Sequence, residues 1–112
     1  MNLPWWLPIG GVPEVSPEEL QRWLADGRPL QLADARTVLE YNQGTIAHAR
    51  HAPVTDLPVS IERLNLDPRV PVVMLCLSGH RSVPGTRWLR AHGYEAYSLQ
   101  GGLMAWKKAL EQ

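Results

Sequence analysis

The sequence predicts an α/β domain built around a parallel sheet, and three observations predict it. Residues 70–75, Val-Pro-Val-Val-Met-Leu, are nearly all apolar and rich in β-branched side chains. A strand buried on both faces of a parallel sheet reads this way. Short strand-like segments alternate with short helical ones along the chain, which is the order of a βα-wound domain. Two capping boxes, Ser16 to Glu19 and Thr37 to Glu40, mark helix starts on either side of the first such strand.

Composition narrows the class further. At 112 residues the chain makes one domain, and 45% hydrophobic with 20% charged residues excludes a disordered, collagen-like or disulfide-stapled protein. Eleven basic and eleven acidic side chains cancel, so no field favours nucleic acid. Cys76 is the single cysteine, which forbids an intramolecular disulfide and suits a reducing compartment. No apolar run approaches the ~20 residues of a membrane span. The opening Met1 to Pro8 lacks the basic and long apolar regions of a secretory signal. The expectation is a small, soluble, cytoplasmic domain, monomeric or homodimeric.

Residues 1–13 read as an irregular arm carrying Pro4, Pro8, Pro13 and the Trp5-Trp6 pair, and residues 14–112 as the domain. Order begins at Val15, which forms a hydrophobic staple with Leu20 across the Ser16 cap. Pro17 at the first helical position and the stripe Leu20, Trp23, Leu24 make a helix that Gly27 can close. Leu30 to Ala33 reads as a buried strand ending at Asp34. Thr37 starts a brief helix that stops near Gly44. Ile46 to Ala49 is a weaker strand, and Leu57 to Leu64 is helical in pattern, ending before Asp67-Pro68. After the strand at 70–75 and a loop from Leu77 to Arg81 comes a helix of about ten residues, closed by Gly93. Gly85 inside that helix costs about 1 kcal/mol relative to alanine, which suggests close backbone packing. Glu95 to Leu99 alternates like a strand. Gly101-Gly102 turns the chain, and Leu103, Trp106 and Leu110 mark the last helix.

Ligands of open parallel sheets bind beyond the carboxyl ends of the strands. The most hydrophobic strand, hence the central one, runs into Cys76. Leu77, Ser78, Gly79, His80 and Arg81 follow, and a helix begins at about Ser82. A tight loop feeding a helix N-terminus turns consecutive N–H groups inward and makes an anion nest. A cysteine at its lip feels those dipoles and the charge of Arg81, both of which favour thiolate. A buried core thiol at a strand end is the competing reading. The glycine, the arginine and the helix start at this spacing favour chemistry.

Cys76-Leu77-Ser78-Gly79-His80-Arg81-Ser82 closely resembles the C-x-x-G-x-R-S active-site loop of single-domain rhodaneses. Asp34-Ala35-Arg36 with Glu40-Tyr41 is similar to that family's D-x-R…E-[YF] segment. Gly93-Tyr94 and Leu99 to Trp106 resemble its C-terminal Gly-Gly-helix signature. The resemblance spans roughly residues 14 to 110. It implies a three-layer domain with a central five-stranded parallel sheet flanked by helices, and a sulfurtransferase without a cofactor. In that mechanism Cys76 takes sulfane sulfur from a donor such as thiosulfate. The persulfide then passes it to cyanide or another thiophilic acceptor, a protein acceptor included. Residues 77–82 would bind the substrate, with Arg81 anchoring the loop or meeting the donor's charge. Arg36 would either reach the pocket or form a plain salt bridge. Asp34 is expected to order its loop by hydrogen bonds.

Thr45 and His48 depart from the family's pattern, standing where histidine and glycine are usual, so this turn is expected to differ in shape. His48, His51, His80 and His92 complete no ligand set, and no metal is expected. His80 either tunes the pocket or is solvated. Trp23, Trp88 and Trp106 fall at core spacing. Trp5-Trp6 calls for a surface to cover: the domain itself, a second copy or a membrane interface. Two other functions stay open: a non-enzymatic sulfur carrier or regulatory module, and a cysteine-dependent phosphatase or arsenate reductase.

Overall fold

The computed structural model describes residues 4–7 and 10–112. Five strands form one parallel sheet. In chain order these are β1 (Glu14–Val15), β2 (Gln31–Asp34), β3 (Arg50–His51), β4 (Val72–Leu75) and β5 (Ala96–Leu99). The spatial order is β1-β5-β4-β2-β3, every neighbouring pair is parallel, and β4 lies at the centre as expected. The helices are α1 (Pro17–Ala25), α2 (Val38–Asn42), α3 (Val59–Glu62), α4 (Ser82–Ala91) and α5 (Gly102–Leu110).

The apolar run at 72–75 is needed because β4 feeds two cores. Val73 and Leu75 point to one face, where they meet Leu20 of α1 and Leu103 of α5, with Trp23 and Trp106 packed alongside. Val72 and Met74 point to the other face, against Ile61 of α3 and Leu89 of α4, with Trp88 beside them. Period-two alternation with both faces covered leaves no polar position in the strand. Gly85 of α4 packs as tightly as its helical position suggested. A Cβ there would lie 2.7 Å from the Met74 methyl.

Both sequence caps lie at helix starts, the first as a serine cap and the second as a full capping box. Ser16 Oγ accepts from the Glu19 N–H at 3.1 Å. Thr37 and Glu40 cap each other reciprocally at the start of α2. Elsewhere the structure corrects the sequence reading. Ile46 to Ala49 is a turn rather than a strand, closed by the Ala49 N–H on the Ile46 carbonyl, and the edge strand comes after it at Arg50–His51. His48 holds φ +69° in that turn, a left-handed conformation that glycine adopts without cost. The helix read over Leu57 to Leu64 is only Val59–Glu62, preceded by a 3-10 turn at Val54–Asp56. Pro58 holds Leu57 extended, so no continuous helix can run through that position.

Of the arm, Trp5 is partly buried and Trp6 is 59% exposed. Its backbone folds back on α4. Arg87 Nη1 donates to the carbonyls of Pro4, Trp5 and Leu7 at 3.1, 3.4 and 2.7 Å. Pro8 lies outside the described residues.

Candidate active site

Central strand β4 delivers Cys76 to the carboxyl edge of the sheet, and residues 76–81 curl from there into α4. The thiol is almost wholly enclosed, at 1% exposure. The Gly79 N–H donates to Cys76 Sγ at 2.9 Å, the inward-turned amide expected of a nest. Gly79 holds φ +99°, a conformation rarely open to other residues. Ser82, first residue of α4, stands with Oγ 3.4 Å from the sulfur, and its hydroxyl also pairs with Ser98 Oγ of β5 at 2.5 Å. A buried chain of two hydroxyls therefore backs the thiol.

Leu77, Ser78 and His80 are on the outer surface of the loop. Leu77 is exposed, and Ser78 Oγ lies 3.2 Å from His80 Nδ1 in a solvated pair. Arg81 closes the loop. Its guanidinium grips Glu40 of α2 with two bonds, 2.6 and 2.8 Å long. The bidentate pairing with Arg81 holds the Glu40 carboxyl down at about 2. Arg81 in turn is held above its usual value, chiefly by the Glu40 carboxylate and also by the charge of Cys76. Both bonds tie the end of the loop to α2.

Arg36 does not join this group. Its Nε and Nη2 are engaged by Asp34, at 2.8 to 3.1 Å, and Nη2 also reaches the Gly44 carbonyl at 2.7 Å. Asp34 accepts in addition from the Arg36 N–H and from Thr45 Oγ1. Arg36 is thus a buried structural cation in the neighbouring loop, and the salt-bridge alternative holds. Asp34 orders its loop by hydrogen bonds, as expected. Thr45, which departs from the familiar pattern, supplies one of them.

Sequence reasoning missed the support from α5. The Leu103 and Met104 N–H groups, which a helix start leaves without intrahelical partners, donate to the carbonyls of Cys76 and Leu77 at 2.8 and 3.0 Å. Gly102, at φ +63°, lies so close under this loop that a Cβ would overlap the Leu77 carbonyl. The Gly101-Gly102 pair was legible only as a turn, although its closest task is to admit the loop backbone. Among the described residues no group of histidines, cysteines and carboxylates is placed to hold a metal.

A five-stranded parallel sheet whose central strand ends at an enclosed thiol, with a loop amide on its sulfur, defines a cysteine-centred α/β protein. Residues 16–109 match the rhodanese-like domain family, and the chain belongs to that family. It is 35% identical over 98 residues to a sulfurtransferase of Allochromatium vinosum, covering 87% of this chain and 90% of that protein. It is 31% identical over 96 residues to the putative sulfurtransferase YtwF of Bacillus subtilis, covering 86% and 91% respectively. The human single-domain sulfurtransferase TSTD1 superposes with a TM-score of 0.73 at 31% identity, covering 88% of this chain and 97% of that one.

Proposed function

We propose that this rhodanese-like protein is a thiosulfate sulfurtransferase working through a Cys76 persulfide. The Cys76 thiolate attacks the outer sulfur of thiosulfate, the S–S bond breaks, and sulfite leaves with the electron pair. Cyanide or another thiophilic acceptor then attacks the outer sulfur of the persulfide, and the thiolate is restored. Metal and cofactor play no part in this scheme, and a small anion is the donor. A reducing, cytoplasmic setting suits the lone thiol.

The observation that carries the reading is the Gly79 N–H at 2.9 Å from Cys76 Sγ, ahead of the α4 N-terminus. A donor fixed on the sulfur stabilises negative charge on it without reorganising during reaction. Loop length favours sulfur over phosphate. Four residues separate Cys76 from Arg81, one fewer than in cysteine-loop protein phosphatases, so the loop has less room for a tetrahedral group. Arg81, committed to Glu40, is also not displayed as a clamp for a tetrahedral dianion.

Intact-protein mass spectrometry tests the proposal. Thiosulfate is expected to add one sulfur atom, and cyanide to remove it with release of thiocyanate. Hydrolysis of an aryl phosphate is expected to be negligible. Phosphatase turnover without sulfur loading would reverse the assignment.

A further inference from the structure

Behind Cys76 the fold buries two hydroxyls that the sulfur-transfer scheme leaves without a task. Ser82 opens α4 and Ser98 lies in β5, and both are fully buried, at 0% exposure. Ser98 pairs in register with Met74, two residues before Cys76, so its side chain leaves the sheet on the α4 face. Met74, Leu89 and Ala96 make that layer apolar, and a hydroxyl there is costly unless it is hydrogen-bonded. Ser98 Oγ lies 2.5 Å from Ser82 Oγ, which lies 3.4 Å from Cys76 Sγ. Among the described residues neither hydroxyl has another hydrogen-bond partner.

The two ends of this chain differ. At the closed end, the Ser98 proton has a single acceptor in reach, Ser82 Oγ. Ser82 then accepts from behind, and its own proton is left for the sulfur. A hydroxyl that accepts on one side donates more strongly on the other. A thiol is a weak donor, whereas a thiolate only accepts. On an ionised sulfur both hydroxyl protons find acceptors. If the sulfur instead donates to Ser82, one of the two protons is stranded in a buried site, whichever way the serines turn.

We propose that Ser98 is a positioning residue that directs the Ser82 hydroxyl onto Cys76 Sγ. Ser82 then shares with the Gly79 amide the task of holding negative charge on the sulfur. The use of that charge rests on the persulfide reading above. It is present before thiosulfate is attacked, and it returns to Sγ with the S–S electron pair when an acceptor takes the outer sulfur. Other charged groups near the sulfur are Arg81 with its partner Glu40 of α2, and the closed Asp34–Arg36 pair after β2. His80 is turned to the outer surface with Ser78. β5 and the first turns of α4 and α5 carry no charged residue, so from those elements only hydroxyls and amides act on the sulfur.

The ultraviolet absorbance of the thiolate, followed against pH with Cys76→Ser as the blank, reads the charge on sulfur without requiring sulfur transfer. Ser98→Ala is expected to move the midpoint of this titration up by about one unit, the worth of one hydrogen bond to a charged group. Ser98→Thr keeps the hydroxyl and should restore most of the parent midpoint. Ser82→Ala should move the midpoint at least as far as Ser98→Ala does. Adding Ser98→Ala to that variant should move it no further, since Ser98 acts only through Ser82. An unchanged midpoint in Ser98→Ala, a full further shift in the double variant, or a folded Ser98→Thr that titrates like Ser98→Ala would overturn the assignment. If the alanine variants do not fold, proton NMR of the unaltered protein decides. Slowly exchanging hydroxyl protons of Ser82 and Ser98 should then move together as Cys76 ionises, and a Ser98 hydroxyl that ignores the titration would overturn it. Failure of the unaltered protein to load sulfur from thiosulfate would instead sink the sulfurtransferase reading, and the titrations would still judge the hydroxyl chain.

Discussion

Two loops leave neighbouring strands at the same edge of the sheet, and they have opposite chemical character. After β2, Asp34 to Thr37 is closed on itself: the carboxylate takes Arg36, Thr45 and a backbone amide, and the remaining guanidinium bond goes to the Gly44 carbonyl. After β4, Cys76 to Arg81 keeps its amide donor on a sulfur and sends its arginine outward to another helix. Both carry a buried acid-forming group and an arginine. Charge satisfied in place makes a rigid post. A buried thiol holding one amide, with the nearby arginine tied to another helix, is the group the proposed chemistry would use as its nucleophile.

Breaking each loop at its acid-forming residue should separate these roles. Cys76→Ser is expected to abolish sulfur loading entirely, since no second cysteine exists to accept it. Its denaturation midpoint should barely move, because the change is nearly isosteric. Asp34→Ala does the reverse. It strands a buried guanidinium, which costs about 3–5 kcal/mol in chemical denaturation. Molecules still folded should load sulfur, read by mass spectrometry under native conditions. Sulfur loading by the serine variant would remove Cys76 from the mechanism.

A third change tests whether the active loop depends on its clamp. Gly102→Ala places a methyl against the Leu77 carbonyl and forces a non-glycine residue into φ +63°. The left-handed conformation alone costs roughly 1–2 kcal/mol, and the carbonyl must shift because it is backbone. Sulfur loading is expected to fall at least tenfold while stability drops by about 2 kcal/mol. A loading rate equal to the parent's would mean that α5 does not set the loop.

How much of this could be read from the sequence depended on how local each cause was. Caps, the two-faced strand and the Cys76 loop are written in consecutive residues, and these were legible. β1 is two residues long and has no periodicity to detect, so Val15 showed only as one half of a staple. β3 was sought at Ile46 to Ala49 because those residues are apolar. The strand instead uses Arg50 and His51, whose polar side chains suit the sheet's edge. Arg36 and Arg81 look alike in sequence, and only distance tells them apart. One closes on a carboxylate two residues away, the other on Glu40, 41 residues away. Nothing in a single chain's pattern encodes that second pairing.

That remote pairing is also the mildest of the contrasts to break. Glu40→Gln keeps one hydrogen bond to Arg81 and removes the charge. The pair is about one-third exposed, so the loss in stability should stay below ~1 kcal/mol. The Glu40 carboxyl is lowered from 4.5 to about 2 in the folded state. Its contribution is therefore fully present above pH 4.5 and is lost as the pH falls through about 2. Denaturation midpoints of parent and variant should differ by a constant amount from pH 7 down to pH 4.5, then converge toward pH 2. The loading rate with thiosulfate should drop only a few-fold at neutral pH, since the Gly79 amide and the α5 clamp still shape the loop. A pH-independent difference would show that the charge of Glu40 contributes nothing, through Arg81 or through the Thr37 cap. Since α2 and the Cys76 to Arg81 loop meet at this ion pair, a convergence that shrinks when Arg81→Gln is added is the measurement that links them.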